Sequence, residues 1–374
     1  MPQIHAARRA RAQASLAAAA AGPDAGAAAG AALITSPANV RYLTGLVSSN
    51  AAVLIPAGGQ AVLATDSRYA EAAARDCADL ELVCDRLVET ALARLAARRG
   101  VTVLAFEAQE MTVERHDELA AALGEAVRLV PLGHAVEELR MVKDDTEIGL
   151  LHRACAITDA AFADLLDQTG PGRTERELAV ALERLMTDHG ADGPAFDTIV
   201  ASGPNGAVPH HAPGGRVLAA GDLVTIDCGA RLGGYHADMT RTVALGEPAA
   251  WQREIYDLVA AAQLAGVAAA RPGTGVGELD ATARDLIAAA GYGEYFGHGL
   301  GHGVGLEVHE APIIGHGRTG TLMDRVPVTV EPGIYLPGRG GVRIEDTVVI
   351  RADGSGAAEP AEILTMTTKE LLVL

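Results

Sequence analysis

The chain has little lysine, few aromatic residues and only four cysteines. Lys143 and Lys369 are the only lysines among its 30 basic residues, so the sequence argues against lysine Schiff-base chemistry. Aromatic residues make up 3% of the 374 residues and hydrophobic residues 49%, so alanine, leucine and valine must supply most of the core. This length and composition indicate a globular chain of two domains.

Basic charge is scarce as well. Forty-eight acidic residues stand against 30 basic ones, which gives a formal net charge of −18. Nucleic acids and anionic membrane surfaces are bound by clustered lysine and arginine, so we expect neither as a partner. The sequence also lacks a Gly-Lys-Ser/Thr phosphate loop and a G-x-S-x-G elbow, which disfavours the corresponding nucleotide-binding folds and serine hydrolases.

Cysteine usage and the N-terminal pattern bear on the compartment. The cysteines show no C-x-x-C spacing, which is typical of a protein from a reducing cytoplasm. Arginines at 8, 9 and 11 precede an alanine run at 17–21, but Gly22-Pro23-Asp24 breaks this run, which favours a solvated first helix over an export signal. The uncharged stretch 42–65 contains turn residues, so it predicts a hairpin of strands 51–55 and 60–65 rather than a membrane span.

The first 140 residues read as a small α/β domain. Short strand-like runs alternate with helical stretches, which is the pattern of an α/β layer structure. We see no dense cluster of His, Asp or Glu here, so we expect a scaffold or substrate-gating domain rather than a catalytic one. The predicted strands are 31–35, 80–84, 102–107 and 127–130, and the predicted helices are 67–75, 89–99 and 112–123.

A second domain is expected over 141–374. Polar residues 143–147 open a long amphipathic helix that runs to about Gln168, and a capping-box pattern at 174–177 opens the next. Seven of the 12 histidines fall between His210 and His316, which indicates where the chemistry lies. Further predicted strands are 195–201, 222–228, 238–244, 326–331 and 341–350, and further predicted helices are 250–270 and 277–290.

Asp227 and Asp238 are predicted to lie on one face of a hairpin. A turn centred on Leu232-Gly233 puts the two carboxylates directly opposite each other, whereas a turn centred on Gly233-Gly234 puts Asp238 opposite Gly229. Strand side chains alternate, so both registers bring the carboxylates to the same face. Like charges on one face are destabilising, so the pair requires either solvent or a cation.

A second acidic pair, Glu331 and Glu345, follows later in the chain. Arg343 and Glu345 are two residues apart on one strand and share a face. Glu331 ends an apolar run, where an isolated carboxylate is costly to bury, so its expected partner is a metal or an arginine. The glycine-rich run 296–310 adds His298, His302 and His309 among residues too small to obstruct a ligand. One imidazole with four carboxylates is mainly an oxygen site, which favours manganese or cobalt over a thiolate-type zinc site.

These segments resemble the metallopeptidase family of methionine aminopeptidase, aminopeptidase P and prolidase. The family's catalytic domain has the pita-bread fold, and its Xaa-Pro-cleaving members carry a smaller creatinase/prolidase-type N-terminal α/β domain, which 36–45 resembles. The motifs occur in family order: VPH at 208–210, TIDCG at 225–229, ADMTRT at 237–242, GHGVGLEVHE at 301–310, VEPGIY at 330–335 and GVRIED at 341–346.

The resemblance implies a dinuclear metal site and a role for each residue. Asp227 would chelate one metal, His302 and Glu331 would bind the other, and Asp238 and Glu345 would bridge both. Glu331 would also take a proton from the nucleophilic water. His210, His298 and His309 would hold substrate and stabilise the tetrahedral intermediate, and Arg343 would orient Glu345 or serve as a structural ion pair.

The resemblance also implies a substrate and an assembly. An N-terminal domain of this type favours the Xaa-Pro-cleaving branch of the family, so we expect an aminopeptidase P or an Xaa-Pro dipeptidase that acts on short peptides with proline as the second residue. By the same resemblance we expect a homodimer. A creatinase-like hydrolase and a peptide-binding relative without catalysis are the alternatives, but both are disfavoured by the complete ligand set.

The chain departs from the family pattern at 323–327, where the family has a Pro-Gly-Met turn. Arg318 is a candidate for binding a substrate carboxylate, or a solvated loop residue.

Overall fold

The structure is a computed structural model that describes residues 2–20 and 29–374. The chain forms two compact units, Met1–Arg140 and Met141–Leu374. The predicted break at Gly22-Pro23-Asp24 lies outside the described residues. Across the part of the chain that is described, no helix combines the length and the apolar character needed to cross a bilayer.

The first unit is built on a six-stranded mixed sheet in the order β4-β3-β2-β1-β5-β6. The predicted hairpin is present, with Ala51 paired to Thr65, and the other four predicted strands end within one residue of their expected bounds. The strands are β1 Ala31–Ile34, β2 Ala51–Pro56, β3 Val62–Thr65, β4 Glu81–Cys84, β5 Val103–Phe106 and β6 Arg128–Pro131. The helices are α1 Pro2–Ala20, α2 Pro37–Thr44, α3 Ala70–Asp76, α4 Val88–Arg98, α5 Val113–Leu123 and α6 Ala135–Met141.

Helix α1 differs from the predicted solvated helix, because two of its arginines are buried. Arg9 Nη1 donates to the carbonyl of Leu43 at 2.8 Å, and Arg8 Nη1 donates to that of Tyr42 at 3.2 Å. Both carbonyls lie in the last turn of α2, where backbone acceptors have no intrahelical partner. The arginines therefore cap α2, a tertiary contact that the helical pattern of α1 does not reveal.

The second unit is made of four sheets, ordered β11-β10-β7, β12-β9-β8, β14-β13-β15-β18-β19 and β16-β17. Its strands are β7 Gly193–Pro194, β8 Ile199–Ser202, β9 Leu223–Cys228, β10 Ala230–Leu232, β11 Tyr235–His236, β12 Met239–Ala244, β13 Gly301–Gly303, β14 Glu310–Ile314, β15 Pro327–Val330, β16 Gly333–Leu336, β17 Gly340–Arg343, β18 Asp346–Val349 and β19 Glu362–Ile363. Its helices are α7 Asp145–Leu166, α8 Glu175–Asp188, α9 Ala250–Ala269 and α10 Val276–Ala289.

Helices pack on these sheets through apolar faces. Helix α7 begins with a capping box at Asp144 and α8 with the predicted one at Thr174 and Glu177. Both helices share a core with β9 and β12. Helices α9 and α10 pack in a second core with β15 and β18. These two cores fix the strands whose ends carry the acidic residues.

The segment 341–350 was predicted as one strand and forms two. β17 pairs with β16, whereas β18 pairs with β15, so the chain changes partner strand between Arg343 and Asp346. At the break, Glu345 N donates to the carbonyl of Thr240 at 3.1 Å, which joins this segment to β12. The switch between sheets cannot be inferred from an apolar run that is continuous in sequence.

Candidate active site

The second unit contains a cavity of about 430 Å³. Its walls come from separate segments, including strands β9 and β13, the ends of β15 and β17, and the loops before β12 and β14. Nine of the residues that the sequence nominated line this one cavity, namely His210, Asp227, Asp238, His298, His302, His309, Glu331, Arg343 and Glu345.

The first acidic pair sits on the hairpin of β9 and β12. Leu232 pairs with Tyr235, so Gly233 and Gly234 form the turn, and both have positive φ, at 58° and 85°. This selects the second of the two registers left open by the sequence. The two-residue turn requires positive φ at both positions, which glycine adopts without a steric penalty.

Thr240 links the first acidic pair to the second. It is paired with Asp227 in the register of β9 and β12, and its hydroxyl donates to Glu345 Oε2 at 2.6 Å. Glu331 directly follows β15, and its Oε1 accepts from Thr329 Oγ1 at 3.2 Å. Four carboxylates thus line one cavity, two from the hairpin of β9 and β12, one from the end of β15 and one from the break between β17 and β18.

His302 faces this acidic group from strand β13. Its Nδ1 lies 3.0 Å from the carbonyl oxygen of Gly303, and because a carbonyl can only accept, Nδ1 is the donor. In the neutral ring, Nε2 therefore carries the free lone pair. Nε2 lies 3.3 Å from Glu331 Oε1 and 3.8 Å from Asp238 Oδ2. One ligand atom each from Asp238, His302 and Glu345 lie within 4.8 Å of one another.

The glycines beside His302 allow its strand to fit. A Cβ at Gly301 would lie 2.0 Å from the carbonyl oxygen of Thr329, and one at Gly303 would lie 2.1 Å from that of Ala311. Any side chain at these positions would collide with the backbone of a neighbouring strand. The glycine-rich spacing of this motif therefore serves the close approach that brings the imidazole to the carboxylates.

The electrostatics of this group show an excess of negative charge. Burial, together with the neighbouring carboxylates, raises the pKa of Asp238 and of Glu345 well above the usual range. Burial also opposes the ionised form of Glu331, but the hydrogen bond and charge of His302, with His298 and Arg343, hold its pKa below the usual value. The pKa of His302 is correspondingly raised, because the hydrogen bond and charge of Glu331 outweigh the effect of burial.

Arg343 contacts Asp227 directly. Its Nη2 donates to Asp227 Oδ2 at 2.7 Å, and its Nε donates to Thr240 Oγ1 at 3.0 Å. The family resemblance implies that Arg343 either orients Glu345 or serves as a structural ion pair; here it pairs with Asp227 and reaches Glu345 through the hydroxyl of Thr240. Asp227 Oδ1 is buried and has no hydrogen-bond partner among the described residues.

The donor set fits divalent cations. A buried carboxylate oxygen without a partner, two carboxyls whose ionisation is opposed by their neighbours, and one imidazole lone pair all face one space. Carboxylate oxygens with one imidazole are ligands for divalent cations, which would neutralise the charge that a single arginine leaves uncompensated.

Three further histidines surround the acidic group. Burial lowers the pKa of His298, and burial with the charge of His302 lowers that of His309. The rings of His302 and His309 meet edge to face at 4.4 Å between centroids. In neutral His298, Nδ1 donates to the carbonyl of Gly299 at 2.8 Å, and Nε2 accepts from the hydroxyl of Tyr335 at 2.8 Å. His210 is exposed and lines the cavity from the loop after β8.

Several residues that hold the site together were not predicted. Tyr335 is buried and accepts from Arg343 Nη1 at 3.0 Å; it lies inside the VEPGIY segment, which could have indicated it. Glu175 accepts hydrogen bonds from the segment 202–214, and Asp280 and Arg284 contact the segment 296–300. No local sequence signal distinguishes these three from ordinary charged residues on helices.

Two loop arginines, Arg318 and Arg325, differ in their contacts. Arg318 is exposed and is not part of the cavity wall. Arg325, in the departing segment 323–327, has a φ of 67°, a region that favours glycine. Its Nε donates to the carbonyl of Lys143 at 2.7 Å, and its N–H donates to that of Ile350 at 2.8 Å, so the entry to β15 is anchored.

Acidic residues and an imidazole that converge in one cavity, with further histidines beside them, define a metal-dependent hydrolase site. Comparison with models of protein families gives the same class of protein and identifies the family. Residues 149–352 match the model of metallopeptidase family M24, and residues 8–142 match that of the creatinase/prolidase N-terminal domain. The chain belongs to metallopeptidase family M24.

Individual relatives cover almost the whole chain. The "uncharacterized peptidase YqhT" of Bacillus subtilis is 42% identical over 344 residues, which is 91% of this chain and 95% of the relative. The structure of the Xaa-Pro dipeptidase from Bacillus anthracis superposes with a TM-score of 0.91 at 37% identity, over 99% of this chain and 100% of the other. The structure of the X-Pro aminopeptidase from Thermotoga maritima superposes with a TM-score of 0.83 at 36% identity, over 92% of this chain and 98% of the other. The pita-bread catalytic domain and the creatinase/prolidase-type N-terminal domain predicted from the sequence are thus confirmed.

Proposed function

We propose that this chain is a dinuclear metal-dependent exopeptidase that hydrolyses Xaa-Pro bonds, either at the N-terminus of short peptides or in dipeptides. The observation that carries the proposal is the convergence of four carboxylates and His302 on one cavity, with His210, His298 and His309 in the same wall. The similar solved proteins support the choice of bond, since one is an Xaa-Pro dipeptidase and another an X-Pro aminopeptidase.

Two divalent ions, manganese or else cobalt, fit the donor set best. Asp227 would chelate one ion, His302 and Glu331 would bind the other, and Asp238 and Glu345 would bridge the two. When bound, such ions act as Lewis acids and lower the pKa of water. The hydrogen bond from His302 Nδ1 to Gly303 supports this assignment, because it fixes the tautomer with Nε2 toward the carboxylates.

The remaining groups provide proton transfer and substrate orientation. Glu331 is the proposed proton acceptor, because its pKa is held low and it is ionised near neutral pH. His210 and His309 would hold the substrate carbonyl and stabilise its developing charge. His298 would share this role, but its proton is on Nδ1, so donation from Nε2 to substrate requires that Nε2 take up a proton and release the hydroxyl of Tyr335. Arg343 would orient Asp227 directly and Glu345 through Thr240.

The cavity wall supports a small substrate with an apolar second residue. Four apolar side chains are among the residues that line the cavity, namely Phe196, Ile199, Val308 and Ile313. Such a surface favours the ring of proline, which has no N–H to satisfy. The volume of about 430 Å³ suits a short peptide segment rather than a folded protein.

Assembly and compartment complete the proposal. We propose a homodimer on the basis of the family resemblance. Light scattering on the purified protein tests this oligomeric state. A cytoplasmic location is supported by the cysteines, since all four are free and Cys84 is exposed, as a reducing compartment permits. Fractionation of cells that express the natural chain tests the location.

The test of substrate class uses three peptides. Metal-loaded protein is incubated with Ala-Pro, Ala-Pro-Ala and Ala-Ala-Ala, and release of alanine is measured. Cleavage of Ala-Pro alone assigns an Xaa-Pro dipeptidase, and cleavage of Ala-Pro-Ala assigns an aminopeptidase P activity. Equal cleavage of Ala-Ala-Ala contradicts the proline specificity, and no cleavage of any peptide contradicts the peptidase proposal.

A further inference from the structure

An ion pair on helix α10 lies beneath the segment that carries His298. Asp280 and Arg284 are four residues apart, so they share one face of the helix. Arg284 Nε lies 2.7 Å from Asp280 Oδ2 and its Nη2 lies 2.8 Å from Oδ1, a two-pronged contact. The side chain of Asp280 is 1% exposed and that of Arg284 is 21% exposed. The pair is therefore fixed in geometry, unlike a pair of solvated charges.

This pair contacts every second residue of the segment 296–300. Arg284 Nη1 donates to the carbonyl of Phe296 at 2.8 Å, and Nη2 donates to that of His298 at 2.6 Å. Asp280 Oδ1 accepts from the N–H of Leu300 at 3.0 Å. The guanidinium carbon also lies 4.2 Å from the centre of the Phe296 ring, which meets the His298 ring edge to face at 5.0 Å.

The segment needs such an external restraint. Glycine occupies positions 297, 299 and 301, and glycine backbone is costly to order. A Cβ at Gly297 would meet nothing within 4 Å, so packing does not hold that position. The two nitrogens of the His298 ring bond to the carbonyl of Gly299 and to the hydroxyl of Tyr335, and its edge meets the Phe296 ring. The contacts from α10 therefore tie the backbone on both sides of Gly297 and Gly299 to a helix.

We propose that Arg284 and Asp280 are positioning residues for His298, and that their contacts to the backbone at 296–300 set its place in the active site. The effect on turnover rests on the proposed peptidase function, whereas the ordering of the segment does not. A pair that merely stabilised the helix would contribute equally whether or not residue 298 is a histidine.

The decisive comparison is a double-mutant cycle. Arg284→Ala is expected to lower kcat/KM for the cleaved Xaa-Pro peptide about 10- to 100-fold, since displacement of a site residue by about 1 Å has effects of this size. In a His298→Ala background the same change is expected to cost less than about twofold, because there is no imidazole left to misplace. An equal loss in both backgrounds would overturn the proposal.

A matched control comes from helix α8. Arg184 and Asp188 form another pair four residues apart, at 3.7 Å, with side chains 83% and 63% exposed. Arg184→Ala is expected to leave kcat/KM unchanged. If Arg284→Ala does not fold, Arg284→Lys is used in its place, because lysine keeps the charge but cannot reach both carbonyls and Asp280. This variant is expected to lose less kcat/KM than predicted for Arg284→Ala, and the loss is again expected to depend on His298.

A second readout does not depend on activity. Amide hydrogen exchange of a peptide spanning 296–301 is expected to accelerate in Arg284→Ala, chiefly through Leu300, and to stay unchanged in Arg184→Ala. Unchanged exchange in Arg284→Ala would overturn the proposal even if activity fell. If the wild-type protein cleaves no Xaa-Pro peptide, the proposed function fails, while this exchange experiment still decides the positioning role.

Discussion

Arg343 Nη2 lies 2.7 Å from Asp227 Oδ2, while the other oxygen of Asp227 is buried without a hydrogen-bond partner among the described residues. One oxygen of Asp227 is thus paired with a cation of the protein, while the other is left without a partner in a residue that lines the cavity. A buried acceptor that lacks a partner costs free energy in the folded state. The arrangement is explained if the open oxygen serves a ligand, which is the role that the proposed metal centre gives it.

Loss of Arg343 is predicted to destabilise the metal-free protein. Arg343→Met removes the one cationic side chain that contacts Asp227 among the described residues and leaves a buried carboxylate uncompensated, at a cost of about 3–5 kcal/mol. Urea unfolding in the presence of chelator measures this. The control is Arg318→Ala, an exposed arginine whose replacement is expected to change stability by less than about 0.5 kcal/mol. Equal effects of both changes would contradict the role of Arg343.

Asp238→Asn is predicted to abolish turnover and yet to stabilise the metal-free fold at alkaline pH. Loss of a proposed bridging carboxylate should lower kcat by more than about 100-fold, since outer residues of metal sites alone contribute about 10–100-fold. The amide keeps the shape of the side chain but removes a charge that its neighbours disfavour. Turnover at the wild-type rate would contradict the two-metal assignment.

The pH dependence of that stability has a definite sign. The folded pKa of Asp238 is raised, so its contribution is fully present below the unfolded pKa of about 4 and is lost as pH rises through the folded value. In chelator, the melting temperature of Asp238→Asn should therefore exceed that of wild type by more at pH 8 than at pH 5. Asp188→Asn, on the exposed end of α8, should show no such trend. A parallel trend in wild type and Asp238→Asn would contradict the prediction.

Divalent metal is predicted to stabilise the folded protein. A ligand that binds only the folded state adds about 2.7 kcal/mol when its concentration is 100 times its Kd. Calorimetric melting of metal-stripped protein, with and without manganese, measures the shift. Asp238→Asn should lose most of it. Melting curves that coincide with and without manganese would count against a tight site.

Glu175 is predicted to anchor the loop that carries His210. Its carboxylate accepts from the N–H and hydroxyl of Ser202, from Asn205 Nδ2, from His211 Nε2 and from the N–H of Gly214. Glu175→Ala leaves these donors without their acceptor and should cost about 2–4 kcal/mol.

The same change should reduce peptide cleavage roughly tenfold, because His210 adjoins the anchored His211. Asp188→Asn on the same helix serves as the control for both measurements. Retention of wild-type stability and activity in Glu175→Ala would show that the loop is held by other contacts.

Local pattern was enough to predict most elements, and together with the family resemblance it nominated the residues that line the cavity. Alternation of apolar residues gave strands such as β9 and β12, and the capping pattern gave the start of α8. The Gly-Gly turn left two registers for the hairpin, because both satisfy the alternation of side chains. Only the pairing of Leu232 with Tyr235 distinguishes them.

What the sequence could not predict depends on contacts between distant segments. The break between β17 and β18 arises because the chain changes partner strands, and apolar periodicity is the same on both sides. The burial of Arg9 depends on the end of α2. Asp280 and Arg284 read as a solvated helical pair, since their spacing is that of any i, i+4 ion pair.

The most direct test of the account is hydrolysis of Ala-Pro-Ala and Ala-Pro by metal-stripped protein, before and after addition of manganese, with the Glu331→Gln variant in parallel. We expect no cleavage by the stripped protein, cleavage of at least one Xaa-Pro peptide when manganese is added, and none by Glu331→Gln under either condition, because the amide cannot accept the proton. Cleavage that is independent of metal, or cleavage by Glu331→Gln at the wild-type rate, would contradict the proposed metallopeptidase mechanism.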